Sequence, residues 1–155
     1  PYKRIDVAVA AANAGRERLI VVGSGPEEKR LREMAGATAE FRGFVSDDEV
    51  VDLMARAESL IIPGVEDFGI TPLEAAASGA PVVAIAEGGV IETVVDGATG
   101  ILVGNATPGS FLEAMRRVTA IAWDRQEMRR RANVFSRRRF QEEFRTLIEG
   151  VLAAG

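Results

Sequence analysis

The chain of 155 residues contains no histidine and no cysteine. Without histidine there is no Ser-His-Asp triad and no Cys-His pair, and nearly every zinc site is excluded. Without cysteine there are no disulfides and no thiol nucleophile, which is compatible with a reducing compartment; the expected location is the cytoplasm. Any chemistry therefore falls to carboxylates, lysine, arginine or backbone amides. Aromatic residues are scarce at 6%, with one Trp and one Tyr. No base-stacking platform is evident, and nucleic acid is not expected as a partner. No apolar run exceeds six residues, far short of the roughly 20 needed to cross a bilayer. The opening PYKRIDVAVA lacks the basic region and continuous apolar stretch of a signal peptide.

What remains is an ordinary globular balance, with 47% apolar and 27% charged residues, in a length that suits one domain, 1–155, with its own core. The net charge of −4 is unevenly spread. From Asp124 to Glu149 eight Arg face five acids, a local +3 that leaves −7 for the rest. A basic end of this kind is able to meet phosphates; with acids interleaved, it reads first as a solvated helix face.

Short apolar strands alternate with helical patterns. RLIVVG (18–23), TAEFRGF (38–44), SLIIP (59–63), PVVAIA (81–86) and TGILV (99–103) read as strands. Helices are predicted over 3–14, 26–35, 46–57, 71–78, 108–122, 125–134 and 137–152, with a short one in GGVIETVV. Ser46 with Glu49 three residues on fits a capping box. Continuous apolar strands between amphipathic helices predict an α/β fold, a Rossmann-like doubly wound parallel sheet covered on both faces. In such sheets ligands bind beyond the carboxyl ends of the strands, so VGSGPEE, GFVSDDE, PGVEDFGITP, AEGGV and VGNATP are the loops of interest. The chain opens in a helix where such a domain normally has a strand. Either the helix comes first, or the chain begins within a motif.

Two loops could carry chemistry. In VVGSGP, Gly23 and Gly25 let a backbone approach a ligand before a helix start, but position 28 is Glu instead of a third glycine, and Glu27 and Glu28 repel phosphate. A structural turn explains the motif equally. In PGVEDFGITPLEAAASG, Gly69 and Pro72 mark a helix start whose free N–H groups, at Gly69, Ile70 and Thr71, form an anion site. Glu66 in the loop and Glu74 in the first turn both reach that mouth. Carboxylates accept sugar hydroxyls, so anion donors between them describe a phosphosugar site. An acid that merely complements the helix dipole is the alternative for Glu74, and the Gly88-Gly89 pair is read either as a ligand approach or as a tight turn.

Glu66 and Glu74, seven residues apart, with strand-Pro before and E-A-x-A-x-G-x-P-V-V-A after, resemble the E-x7-E signature of retaining glycosyltransferases of the GT-B fold. The nearest resemblance is to the glycogen-synthase-like and mannosyltransferase-like family that uses nucleotide sugars. P-Y-K-R-I-D resembles the lysine-bearing start of that family's C-terminal domain. V-V-G-S-G-P resembles its G-x-G-P turn, F-R-G-F-V-S-D its nucleoside-side loop, and E-G-G-V-I-E-T-V-V-D-G-A-T-G-I-L-V its later Gly-Gly region. The resemblance implies that Lys3 neutralises the donor diphosphate and that Glu66 lies by the transferred sugar. It implies further that Glu74 holds the ribose, that the amides of Phe68, Gly69, Ile70 and Thr71 reach sugar and diphosphate, and that Gly23, Gly25 and Val45 border the nucleotide. Without it, Lys3 is a surface lysine at a chain end and Ser46 only a helix cap. The donor would be an NDP-sugar such as GDP-mannose or UDP-glucose, with no other cofactor and no metal.

The resemblance also shows what is missing. The first, central strand of the family's C-terminal domain and the arginine before Lys3 are absent, as is the acceptor-binding N-terminal domain. Arg4 follows Lys3 and does not match that arginine. A substitute for the strand is expected, because an open slot leaves backbone groups unpaired. The implied activity is hexose transfer to a glycan or lipid-linked acceptor, with peripheral membrane association an option for the full-length enzyme and the isolated domain inactive. Other readings are a different GT-B enzyme, epimerase-like, against which the lack of histidine counts, and a non-catalytic binding module.

Overall fold

The computed structural model describes residues 2–153. Five parallel strands alternate with helices: α1 (Ile5–Gly15), β1 (Leu19–Val22), α2 (Glu28–Met34), β2 (Ala39–Gly43), α3 (Asp47–Arg56), β3 (Leu60–Ile62), α4 (Ile70–Ser78), β4 (Val82–Ile85), α5 (Val90–Thr93), β5 (Gly100–Val103), α6 (Pro108–Thr119), α7 (Arg125–Asn133) and α8 (Arg137–Ala153). The α/β class and the order of elements agree with the sequence patterns.

The expected continuous sheet is divided. β1 pairs with β2, while β3, β4 and β5 form a second sheet in that order. Among the described residues no ladder joins β1 to β3, so each keeps one edge without a partner strand. The physical consequence is visible in burial. All four residues of β4 are buried, whereas Leu60 and Ile61 of β3 are half-buried and Val22 of β1 is 43% exposed. The division falls where the resemblance placed the absent central strand. Helix α1 packs against β1, β2 and β3 and so ties the two sheets together, and half-buried Ile61 touches the cores on both sides.

Side chains alternate across β4 with the period of two that a strand imposes. Val83 and Ile85 pack with Val7 and Ala11 of α1 and with Phe111, Ala114, Met115 and Val118 of α6. Val82 and Ala84 face the other way, onto Met54, Ala75, Val90 and Val94. Ala8, Val9 and Ala12 of α1 cover Leu19 and Leu31 beside β1. The sheets are thus covered on both faces, as continuous apolar strands require.

Helix starts follow local chemistry. Ser46 Oγ accepts the Glu49 N–H at 3.3 Å, but only half of the capping box forms, because the Glu49 carboxylate bonds Arg42 at 3.1 Å instead. Arg42 also donates to Glu40 at 2.8 Å, and that bond holds the Glu40 carboxyl below its ordinary range. Thr107 and Asp124 cap α6 and α7 through their side-chain oxygens. The Arg-rich end behaves as a solvated surface: Arg130 and Arg131 bond Glu127, and Arg139 bonds Glu143 at 2.6 Å. Helix α8 buries none of its residues, and Phe140 and Phe144 stack on its exposed side with ring centroids 5.7 Å apart. Among the described residues no helix is long and apolar enough to cross a membrane.

Candidate functional site

All strands of each sheet run the same way, so the loops singled out in the sequence gather at two carboxyl edges. At the β1–β2 edge, Gly23 adopts φ +100 and donates its N–H to Gly43 O at 2.6 Å. Gly25 is exposed and Val45 half-buried just before α3. Pro26 lies before the helix, which begins at Glu28 rather than at position 26. A Cβ on Gly23 or Gly25 would meet nothing within 4 Å; this turn is open on its outer side.

At the β3–β4 edge the acidic loop crosses the Gly88-Gly89 turn. Gly89 N–H donates to Glu66 O at 2.7 Å, and Glu66 and Gly88 form an isolated parallel bridge. A Cβ on Gly88 would lie 2.5 Å from Glu66 O, and one on Gly89 would lie 2.5 Å from the carbonyl of Phe68. These distances are far inside van der Waals contact. The glycine pair therefore makes the tight turn, with Gly88 at φ +70, and is also the floor on which the acidic loop rests. Nothing local signals this role, since the partners lie about twenty residues away in the chain.

The loop ends at Gly69, whose φ of +89 is a left-handed conformation suited to glycine. Its buried α-carbon sits against Thr93, whose Oγ would be 2.8 Å from an added Cβ. Gly69 offers no side chain to cap α4. The N–H groups of Gly69, Ile70 and Thr71 donate to no protein acceptor among the described residues, and Pro72 has none to offer. Three free donors at a helix start attract an anion.

Lys3 Nζ donates to Glu66 Oε1 at 3.0 Å, across 63 residues of sequence, with the Glu66 side chain only 22% exposed. A lysine near the chain end is thereby brought to the acidic loop. Glu74 differs from its sequence placement. Because α4 begins at Ile70, Glu74 is the fifth helical residue and lies beyond the first turn, where the dipole effect has faded. It is exposed and has no hydrogen bond or ion pair among the described residues. With exposed Phe68 and Ile70 it borders an open groove of about 810 Å³ between α4 and the α7–α8 junction, which Glu66 does not line. The structure thus couples Glu66 with Lys3, and sets Glu74 on a groove that neither of them lines. Among the described residues no three acidic side chains come together as ligands for a metal ion. The arrangement offers a cation, free amide donors and two carboxylates able to accept hydroxyls.

Residues 1–135 match the family described as "Glycosyl transferases group 1". The chain is 32% identical over 130 residues to the 2-deoxystreptamine glucosyltransferase of Streptomyces kanamyceticus, covering 77% of this chain and 32% of that protein. Sucrose-phosphate synthase from Thermosynechococcus elongatus superposes with a TM-score of 0.82 at 26% identity, over 99% of this chain and 43% of that one. The Anabaena protein HepE in complex with UDP-glucose superposes with a TM-score of 0.62 at 27% identity, over 85% of this chain and 39% of that one. The chain spans about a third of the length of the curated relative and under half of the two solved chains.

Proposed function

The chain belongs to the group 1 glycosyl transferases, and on that premise we propose that it is the nucleotide-sugar-binding part of a retaining glycosyltransferase. The observation that carries the reading is the Lys3 ammonium held 3.0 Å from the Glu66 carboxylate, on a loop that runs into the free amides of Gly69 to Thr71 at the start of α4. A diphosphate fits the amides and Lys3; the hydroxyls of a sugar and a ribose fit Glu66 and Glu74 respectively. Gly23, Gly25 and Val45 would flank the nucleotide from the other sheet edge. The UDP-glucose complex of HepE supports a nucleotide-sugar donor, and the glucosyltransferase relative supports a hexose.

In the proposed reaction the bond between the sugar C1 and the diphosphate oxygen breaks on the face that the acceptor approaches. The acceptor hydroxyl oxygen bonds to C1, and its proton passes to a donor phosphate oxygen. Lys3 and the amides stabilise the negative charge that grows on the leaving diphosphate. Neither glutamate acts as nucleophile. The acceptor, a glycan or a lipid-linked glycan, would be held by further protein outside these 155 residues.

Calorimetry with GDP- and UDP-sugars tests this. Wild type should bind one of them, and Glu74→Ala should weaken it about tenfold or more, the loss of about 1.4 kcal/mol expected when a carboxylate–hydroxyl contact is removed. Absence of binding by a folded wild-type chain would overturn the donor-site reading and favour a non-catalytic module.

A further inference from the structure

Gly64 is buried although it stands at the open carboxyl end of β3, one residue beyond Pro63. The cause is a chain crossing. A Cβ on Gly64 would lie 2.3 Å from Tyr2 O, 2.5 Å from Lys3 Cα and 2.6 Å from the Lys3 carbonyl carbon. All three are backbone atoms, so no side-chain rotation could make room. Directly after them Arg4 adopts φ 49, ψ 38 as the residue that opens α1, and its carbonyl accepts the Val7 N–H at 3.0 Å. That left-handed conformation is unfavourable for any residue but glycine, and such strain persists only where the surroundings over-determine it. The Tyr2–Lys3 peptide is therefore fixed twice, by the bare surface of Gly64 beneath it and by the turn at Arg4. From this seat the Lys3 side chain reaches Glu66, two residues along from Gly64.

We propose that Gly64 is a positioning residue: by presenting no Cβ it lets the Tyr2–Lys3 peptide dock on the end of β3, and so sets the Lys3 ammonium against Glu66, where it meets the donor diphosphate. The last clause rests on the donor-site reading above; the placement of Lys3 does not. Freed from the seat, the long Lys3 side chain would start from no fixed backbone, and its charge would be spread over solvent instead of focused on the mouth.

The chain has only two lysines, Lys3 and Lys29, and Lys29 is exposed on α2, which provides an internal reference. With isotope-labelled lysine, Glu66→Gln identifies the Lys3 side-chain resonance by shifting it. Gly64→Ala should move that resonance in the same way and leave Lys29 in place. Affinity is then measured for whichever of UDP and GDP the wild type binds, and for the corresponding monophosphate. Gly64→Ala and Lys3→Ala should each weaken the diphosphate about tenfold and leave the monophosphate unchanged, and the double variant should be no worse than either. An unmoved Lys3 resonance in Gly64→Ala overturns the proposal. So do equal losses for mono- and diphosphate, or losses that multiply in the double variant, since both mark general damage. Should Gly64→Ala fail to fold, Arg4→Pro, whose fixed negative φ breaks the left-handed turn and frees the seated peptide with Lys3 intact, must shift the Lys3 resonance as Glu66→Gln does. An unmoved Lys3 resonance there refutes the seat. A Lys3 resonance that responds as expected, with no nucleotide bound by the wild type, removes the donor-site reading and the diphosphate clause with it, while the seat itself stands.

Discussion

Replacing Gly89 with alanine should loosen the acidic loop from below. Gly89 has φ −65 and ψ −17, an ordinary right-handed conformation, so alanine fits the backbone. By restricting the unfolded chain it would alone add about 0.4–1 kcal/mol of stability. Against this, the new Cβ falls 2.5 Å from the Phe68 carbonyl and 2.6 Å from Asp67 O, roughly 1 Å inside normal contact. Both neighbours are backbone, and forcing extra volume into such a site costs about 1–3 kcal/mol. The shift also stretches the 2.7 Å bond from Gly89 N–H to Glu66 O, worth a further ~0.5–1.5 kcal/mol. Sterics win, and urea unfolding should show a net loss of about 1–3 kcal/mol. Because Glu66 and the Phe68–Thr71 amides ride on the displaced loop, nucleotide-sugar affinity should fall about tenfold or more. Alanine at Gly109 is the control: it lies in α6 with nothing within 4 Å of its Cβ, and there the substitution should stabilise by about 0.5–1 kcal/mol. A Gly89→Ala chain as stable as wild type, or one that binds donor normally, would refute the claim that the loop rests on this glycine.

Two further outcomes concern stability. Phe111 is 0% exposed at the junction of α1, α6 and the three-stranded sheet, so Phe111→Ala should cost about 3–5 kcal/mol in chemical denaturation, leaving donor affinity intact wherever the fold survives. The Glu127 carboxyl is held below its ordinary value of 4.5, chiefly by the hydrogen bond from Arg130 and also by that from Arg131. A carboxyl depressed in the folded state contributes stability above its unfolded pKa, and the contribution is lost as pH falls through the folded one. Glu127→Gln should therefore be somewhat less stable than wild type near pH 7, where the contribution is full, and decline less steeply below about pH 4.5; parallel acid limbs for variant and wild type would contradict the assignment.

Much of this was written locally. The strands announce themselves as β-rich apolar runs and the helices by period, and Ser46, Pro108 and Asp124 mark helix starts with chemistry that needs no distant partner. The order of motifs alone marked the chain's resemblance to a glycosyltransferase family, and Gly69 and Pro72 marked the turn into α4. The sequence misplaced Glu74 by one residue of helix. Since Gly69 starts α4 through its left-handed backbone and not through a side-chain cap, Ile70 already joins the helix and Glu74 leaves the first turn.

Other features depended on residues far apart in the chain, and only the packed structure decided them. Lys3 meets Glu66 across 63 residues because the end of β3 has no side chain at Gly64 to keep the Tyr2–Lys3 peptide away. Gly88 and Gly89 were legible as a turn, but not as the support of a loop more than twenty residues upstream. A substitute for the missing strand was expected between β1 and β3, but among the described residues no strand pairs with either edge and the sheet is divided there. Helix α1 spans both sheets with two apolar faces, Val7 with Ala11 and Ala8 with Val9 and Ala12, and so ties together strands that share no hydrogen bonds. Periodicity records which side of an element is apolar. Close approach between backbones leaves no such record, because its only requirement is the absence of a side chain.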